Sequence, residues 1–200
     1  MGETPIRIAL AAGLGVALLG ARDAGPAAVG TLYVAAVTGA LVQYDLRERR
    51  LPDALVLPGF AFVGAGALWS STSGGGGPIV FLAAVLSGLA VLGVFLVLAS
   101  GGGLGMGDVK LAAVLAAALA ALVAERAPPE GEPVAAVVGA VGALVVGSLV
   151  LGALAAGIVV RSRGTGAARA ERTVGAAAPA ADVPFGPVLL AVFWAVALGW

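Results

Sequence analysis

The sequence has 200 residues, of which 60% are hydrophobic and 11% are charged, with a mean hydropathy of +1.08 and a formal net charge of zero. Water-soluble domains carry a charge on about a quarter of their residues, so this composition indicates a protein whose solvent is the lipid bilayer. The few basic residues lie between apolar segments and form no electrostatic surface for nucleic acid, which is therefore excluded as a partner.

Seven apolar segments predict an all-α, polytopic membrane helix bundle of about seven transmembrane helices, with six to eight compatible with the pattern. The first, fifth and last segments are shorter than the roughly 20 residues that cross a hydrocarbon core. The first is interpreted as a retained helix and not a signal peptide, because residues 20–24 match the small-x-small cleavage pattern poorly. The 32 glycines indicate close packing, since small residues let helix backbones approach. The segments are 5–20, 27–44, 54–70, 78–99, 109–124, 134–160 and 185–200.

The basic residues lie mainly on one side when the seven predicted spans alternate: nine of the eleven share that side. Because cytoplasmic loops carry the excess of lysine and arginine, the turn 46–51, the glycine-rich segment 100–107 and the segment 161–183 are assigned to the cytoplasm. The prediction is a multi-pass protein of the cell (cytoplasmic) membrane with Asp45 and Asp108 at its cytoplasmic face. The nine residues are Arg7, Arg47, Arg49, Arg50, Lys110, Arg161, Arg163, Arg169 and Arg172.

The segment 161–183 is the one long polar connection, and it has too few large apolar residues to bury a core. We expect a mobile cytoplasmic loop whose arginines act as topology determinants, with contact to anionic lipid as the alternative. The rest of the chain gives no domain boundary, so residues 1–200 are predicted to form a single membrane domain.

Two aspartates lie at predicted helix ends on the cytoplasmic side. Asp45 ends an apolar run, where the helix dipole does not stabilise a carboxylate, and an interfacial charge balanced by Arg47 or Arg49 is the ordinary explanation. Asp108 opens the fifth helix, where helix capping is the ordinary explanation. Charged groups near hydrocarbon are costly, so the two carboxylates are also candidates for function.

The glycines that precede Asp108 allow irregular backbone at membrane depth. Such backbone is tolerated only where protein or a water-filled cavity satisfies its peptide groups, and a hydrolase inside a membrane needs such a cavity. A phosphate-binding loop is a poor alternative, because the Gly-Lys-Ser/Thr ending and a preceding strand are both missing.

The absence of cysteine and histidine narrows the chemistry. It excludes thiol nucleophiles, cysteine-ligated metal sites, the Ser-His-Asp triad and the HExxH zinc site, so no metal and no cofactor is predicted. A dyad of Ser100 and Lys110 is left as a disfavoured option. Two carboxylates held close together cannot both ionise easily, so one keeps a proton and polarises a scissile carbonyl while the other draws a proton from water.

Three motifs occur in order along the chain. Asp45 is followed by an arginine-rich stretch and Leu-Pro-Asp at 51–53, Gly-Met-Gly-Asp-Val-Lys occupies 105–110, and Pro-Phe-Gly-Pro occupies 184–187 before the last helix. Together they resemble the type IV prepilin peptidases, in the short form that has only the peptidase, over about 30–195. The GxGD-x-K motif is the most specific part of this resemblance.

The resemblance implies an aspartic endopeptidase that removes the short, basic leader of type IV pilin-like precursors at the cytoplasmic membrane face, typically just after a glycine. Asp45 and Asp108 match the catalytic pair of the family. Gly105, Gly107 and Lys110 match its supporting motif residues. The implied partners are prepilin-like precursor proteins and the lipid bilayer, and no oligomeric state is implied.

Two features depart from the family pattern. Asp53 stands where the family usually has asparagine, and we interpret it as a helix cap after Pro52. Larger family members carry an amino-terminal cytoplasmic domain, often with paired cysteines, which methylates the trimmed pilin. The sequence has no counterpart of that domain, so it looks more like the members that serve Flp or Tad-type pili and archaeal flagellins.

Two other functions use the same carboxylates. A small transporter or channel would relay protons or bind a cation through Asp45 and Asp108, as intramembrane carboxylates often do. A catalytically inactive scaffold for pilus assembly is the other alternative. The combination of the three motifs favours the peptidase over the transporter, and the presence of both aspartates favours it over the scaffold.

Overall fold

The computed structural model is all-helical and describes residues 3–21, 25–49, 51–74, 76–101, 104–127, 132–167 and 184–199. None of these described residues lies in a strand, which confirms the predicted all-α class. The helices are α1 (Glu3–Ala21), α2 (Ala28–Glu48), α3 (Asp53–Thr72), α4 (Pro78–Ser100), α5 (Met106–Arg126), α6 (Pro133–Ala167) and α7 (Gly186–Gly199).

Five of the helices, α2 to α6, are long and apolar enough to cross a membrane. The apolar part of α1 is Ile8–Gly20, and α7 has 14 residues. At a rise of about 1.5 Å per residue, α7 spans roughly 20 Å, less than the roughly 30 Å of a hydrocarbon core. These lengths confirm a polytopic helical membrane protein whose first and last apolar helices are short, whereas the prediction of a short fifth helix is wrong, because α5 has 21 residues.

The central helix of the bundle is α5. Its residues from Val109 to Ala124 are buried, apart from the partly exposed Lys110. Eight of these positions are alanine, and such small side chains let neighbouring helices approach from all sides. Helix α5 packs against α2, α3, α4, α6 and α7. Its first turn, which contains Asp108, is thereby held among the other helices at one end of the bundle.

The outer helices expose large apolar side chains. Trp69 of α3, Leu86 of α4, and Val138 and Ile158 of α6 are each at least 60% exposed. In water an apolar surface of this extent would drive association, whereas in a bilayer it contacts lipid tails. The surface therefore agrees with the membrane solvent that the composition indicates.

Polar contacts position α2 at two levels. Within the bundle, Trp194 Nε1 of α7 donates to Thr38 Oγ1 at 3.2 Å, and the Thr38 hydroxyl donates to the carbonyl of Val34 at 2.6 Å. At the other end of the bundle from Asp108, the N–H of Ala27 donates to both carboxylate oxygens of Glu125, each at 3.2 Å. Helix α2 is thus connected to α7 along its length and to the end of α5 at its start.

Three helix boundaries differ from the predicted ones by three residues or more, and one of them is the end of α2 at Glu48, four residues later than predicted. Helix α5 begins at Met106, three residues earlier than predicted, so Asp108 lies in its first turn while Gly105 is the N-cap. Helix α6 continues to Ala167, so residues 161–167 are helical and do not begin a loop. The predicted boundaries lie where apolar side chains give way to polar ones, which is where the hydrocarbon core of the membrane ends. The backbone hydrogen bonds of a helix can continue beyond that point. The rest of the predicted mobile loop, 168–183, lies outside the described residues.

Candidate active site

Asp45 lies in the last turn of α2 and is only 5% exposed. The helix ends at Arg49, whose left-handed backbone (φ 52°, ψ 33°) redirects the chain, and the N–H of Arg49 donates to the Asp45 carbonyl at 3.0 Å. A carboxylate at this end of a helix opposes the helix dipole. A buried Asp45 side chain therefore needs a hydrogen-bond donor from another part of the protein.

Gly186, the first residue of α7, provides that donor. Its backbone N–H donates to Asp45 Oδ2 at 3.0 Å. The first N–H groups of a helix have no partner within the helix and carry a partial positive charge, which suits a carboxylate. A Cβ atom at position 186 would lie 2.9 Å from Asp45 Oδ2, closer than real Cβ atoms come to such an atom. Glycine is therefore required for this approach.

Asp108 is the third residue of α5, and it caps its own helix. The backbone N–H of Gly105 donates to the Asp108 carboxylate, which is one half of a capping box. Asp108 Oδ1 is buried and has no hydrogen-bond partner among the described residues. Capping thus engages part of the carboxylate while Oδ1 stays uncommitted.

The two aspartates lie near each other at one end of the bundle. Their charges are close enough to repel each other, because α2 ends and α5 begins at this end and the two helices pack together. Paired carboxylates of this kind favour a state in which they share one proton, which suits them for acid–base chemistry. In the part of the chain that the structure describes, no group of three or more Asp, Glu, His or Cys side chains is arranged to hold a metal ion.

Gly107 of the GxGD-x-K motif has a steric role. A Cβ atom at position 107 would lie 2.9 Å from Leu51 Cβ and 3.5 Å from the backbone N and O of Leu51. The connection between α2 and α3 therefore lies directly against the first turn of α5. This contact brings the chain that follows Asp45 next to Asp108.

Lys110 forms an ion pair with Asp53. Its Nζ lies 2.8 Å from Asp53 Oδ1 and 2.9 Å from Oδ2, with exposed side-chain fractions of 31% for Lys110 and 56% for Asp53. The prediction that Asp53 caps a helix is wrong, because Pro52 is the N-cap of α3 and Asp53 is its first residue. The carboxylate instead neutralises a charge on another helix. The pair connects the start of α3 to the first turn of α5.

Sequence reasoning did not predict the Gly186 and Lys110 contacts. The signal for Gly186 was the Gly-Pro step at the start of α7, which marks a helix N-terminus with free N–H groups. The signal for the ion pair was that Lys110 is the only lysine and that Asp53 is an additional carboxylate assigned to the same side. Both contacts join residues far apart in sequence, so neither signal identified the partner.

The fold and the site define a multi-pass helical membrane protein with two interacting aspartates at one end of its bundle. Residues 32–200 match the sequence profile of the type IV leader peptidase family. The chain belongs to this family, which confirms the resemblance noted in the sequence and makes the protein a membrane peptidase. No curated protein and no solved structure shows a significant match.

Proposed function

We propose that this peptidase is an aspartic endopeptidase that removes the basic leader of type IV prepilin-like precursors at the cytoplasmic face of the cell membrane. The observation that carries the proposal is the interaction between Asp45 and Asp108, which come from different helices and meet at one end of the bundle. Membership of the leader peptidase family supports the substrate class. The excess of basic residues on the side assigned to both aspartates supports the cytoplasmic face.

The reaction uses one proton shared by the two carboxyl groups. The ionised carboxylate accepts a proton from water, and the water oxygen attacks the scissile carbonyl carbon. The protonated carboxyl donates to the carbonyl oxygen, which gives a tetrahedral diol. A proton then passes to the leaving nitrogen as the C–N bond breaks. No residue other than Asp45 and Asp108 has to exchange a proton.

Backbone donors fix the orientation of both carboxylates. Gly186 holds Oδ2 of Asp45, and Gly105 holds the Asp108 carboxylate. These donors are backbone groups whose positions are set by helix packing, so the two acids are oriented before substrate binds. The substrate itself is a membrane helix with a basic cytoplasmic end, which agrees with a site at the end of a lipid-exposed bundle.

Replacing either aspartate with asparagine tests the proposal. The assay uses a reporter precursor, defined as a short Lys- and Arg-containing leader that ends in glycine and precedes an apolar helix. We expect Asp45→Asn and Asp108→Asn each to lower the cleavage rate at least about a hundredfold, because each removes one acid–base group. Leader removal is followed by gel mobility and mass spectrometry of the reconstituted protein.

Asp53→Asn is the matched control for that experiment. The asparagine carbonyl can still accept a hydrogen bond from Lys110, so cleavage should stay near the wild-type rate. Wild-type cleavage by Asp45→Asn or Asp108→Asn would show that the catalytic assignment is wrong. A transporter that used the same carboxylates would leave the reporter uncut in every version.

A further inference from the structure

Phe185, which precedes Gly186, lies between two helices of the bundle. On one side its ring contacts the fully buried Phe95 of α4, with ring centroids 6.3 Å apart and planes inclined by 49°. On the other side it lies against Gly152 of α6. A Cβ atom at position 152 would overlap the ring, since it would lie 3.0 Å from Cδ2 and even closer to Cε2. The ring thus occupies space that exists only because residue 152 has no side chain.

Two other glycines in α6 face open space, whereas Gly147 lies against Val192 of α7. At Gly142 and Gly157 an added Cβ would meet no atom within 4 Å. Gly152, in contrast, is buried and faces an aromatic ring. Its position in the middle of an apolar helix, outside the three sequence motifs, gave no indication of this contact.

Phe185 also determines where α7 begins. Its carbonyl accepts the N–H of Leu189 at 3.0 Å, which closes the first turn of the helix. The next residue, Gly186, donates its N–H to Asp45. The Phe185 ring and the donor to Asp45 are therefore directly linked, since the Gly186 N–H belongs to the peptide bond that follows Phe185.

We infer that Gly152 and Phe185 are positioning residues: Gly152 leaves room for the Phe185 ring, and the packed ring holds the Gly186 N–H on Asp45. The effect of Gly152 and Phe185 on the hydrogen bond between Gly186 and Asp45 does not depend on what the protein cleaves. Its consequence for cleavage rests on the proposed function, in which Asp45 exchanges a proton. Gly152→Ala should push the ring aside and weaken the hydrogen bond between helices α7 and α2.

A nuclear magnetic resonance experiment measures the hydrogen bond without any need for activity. Phe185-Gly186 is the only Phe-Gly pair in the sequence, so ¹³C-carbonyl phenylalanine combined with ¹⁵N-glycine gives a single carbonyl–amide correlation. Hydrogen bonding to a carboxylate moves an amide proton downfield. We expect Gly152→Ala to move the Gly186 signal upfield, in the same direction as Asp45→Asn, and Gly157→Ala to leave it unchanged.

Cleavage of the reporter precursor provides the second measurement. For Gly152→Ala we expect kcat to fall by roughly tenfold or more with KM near the wild-type value, because the acid is misplaced while the binding surface is intact. Phe185→Leu has a smaller side chain, so the double variant Gly152→Ala/Phe185→Leu should recover activity above that of Gly152→Ala. Gly157→Ala should match the wild type.

The two measurements separate the inference from the proposed function. An unchanged Gly186 signal in folded Gly152→Ala would overturn the inference, whatever the cleavage rate. Failure of the wild type to cut the reporter would contradict the proposed function and leave the signal test intact. If Gly152→Ala does not give a monodisperse protein, Phe95→Leu loosens the other side of the ring and keeps the Phe-Gly label. It should also move the Gly186 signal upfield, and an unchanged signal would again overturn the inference.

Discussion

Asp45 and Asp108 each accept a hydrogen bond from a backbone N–H at the start of a helix. For Asp108 this helix is its own, whereas for Asp45 it is a different helix. Asp108 caps α5, the helix to which it belongs, through Gly105. Asp45 lies at the unfavourable end of α2 and is stabilised by α7 through Gly186. Because Asp45 depends on a separate helix, its geometry should be the more sensitive of the two to substitutions outside its own segment.

Gly186→Ala is the direct test at the level of a single residue. The new Cβ would lie 2.9 Å from Oδ2 and 3.3 Å from Cγ of Asp45, so the carboxylate must leave the Gly186 N–H. We expect the cleavage rate to fall by roughly tenfold or more. Gly199→Ala, on the same helix with no atom within 4 Å of the new Cβ, is the control. Equal rates for the two variants would mean that the hydrogen bond contributes nothing to cleavage.

At the level of helices, the site depends on how helix ends meet. The end of α2 and the starts of α5 and α7 supply Asp45, Asp108 and Gly186, while the start of α3 contributes Asp53 to Lys110. The contact between Gly107 and Leu51 brings the α2–α3 connection against α5. No single helix carries the site, so changes at helix contacts should affect activity or stability without changing an aspartate.

The ion pair between α3 and α5 can be tested by exchanging its charges. Lys110→Asp places two carboxylates together at the start of α5, and we expect it to lower cleavage. The double variant Asp53→Lys/Lys110→Asp restores opposite charges and should recover most of the loss. Because both groups are partly exposed, the pair should contribute only about 0–1 kcal/mol to the free energy of unfolding. A double-mutant cycle measures the contribution of the ion pair to the cleavage rate and to the free energy of unfolding. If the double variant cleaves no faster than Lys110→Asp, the ion pair does not support cleavage.

The contact between α5 and α2 at the other end of the bundle predicts a change in stability and not in chemistry. Glu125 accepts the N–H of the buried Ala27 at the start of α2, so Glu125→Ala leaves this donor without its carboxylate. We expect a loss of about 1 kcal/mol of stability, as for removal of a helix cap, with cleavage by the folded protein unchanged. Thermal unfolding in detergent measures it. Glu132→Ala removes an exposed carboxylate and is the control, and an equal loss there would argue against a specific cap.

At the level of the whole molecule, the bundle combines a buried central helix with a lipid-exposed outer layer. Helix α5 is buried among five other helices, and Asp108 lies in its first turn. The apolar surfaces of α3, α4 and α6 face outward, where lipid replaces water. Asp45 and Asp108 lie at one end of this bundle, where α2 ends and α5 begins.

The orientation of the bundle predicts opposite labelling of its two ends. The chain contains no cysteine, so single cysteines introduced at the exposed positions Glu48 and Ser73 can be labelled specifically. With a membrane-impermeant maleimide, Ser73→Cys should react in intact cells, and Glu48→Cys only after the membrane is permeabilised. The reverse pattern would show that the Asp45 end faces outward and would contradict cleavage at the cytoplasmic face.

The sequence by itself determined the solvent, the class and the family of this protein. An apolar composition indicates a chain that is stable in lipid, and the length of each apolar segment indicates a helix that can cross the membrane. Neither property depends on contacts between residues that are distant in sequence. Asp45 and Asp108 were also recognisable as candidates from local motifs. The end of α2, the start of α5 and the end of α6 were predicted less well, because helical hydrogen bonds extend past the change from apolar to polar residues.

Only the tertiary structure decided how the candidate acids are held. The Gly186 donor, the space that Gly152 leaves for the Phe185 ring, and the ion pair between Lys110 and Asp53 each join different helices. Their physical basis is a distance between groups that are remote in sequence, and helix packing around α5 determines that distance. A glycine in an apolar segment looks the same in sequence whether its missing side chain makes room for a ring or faces open space.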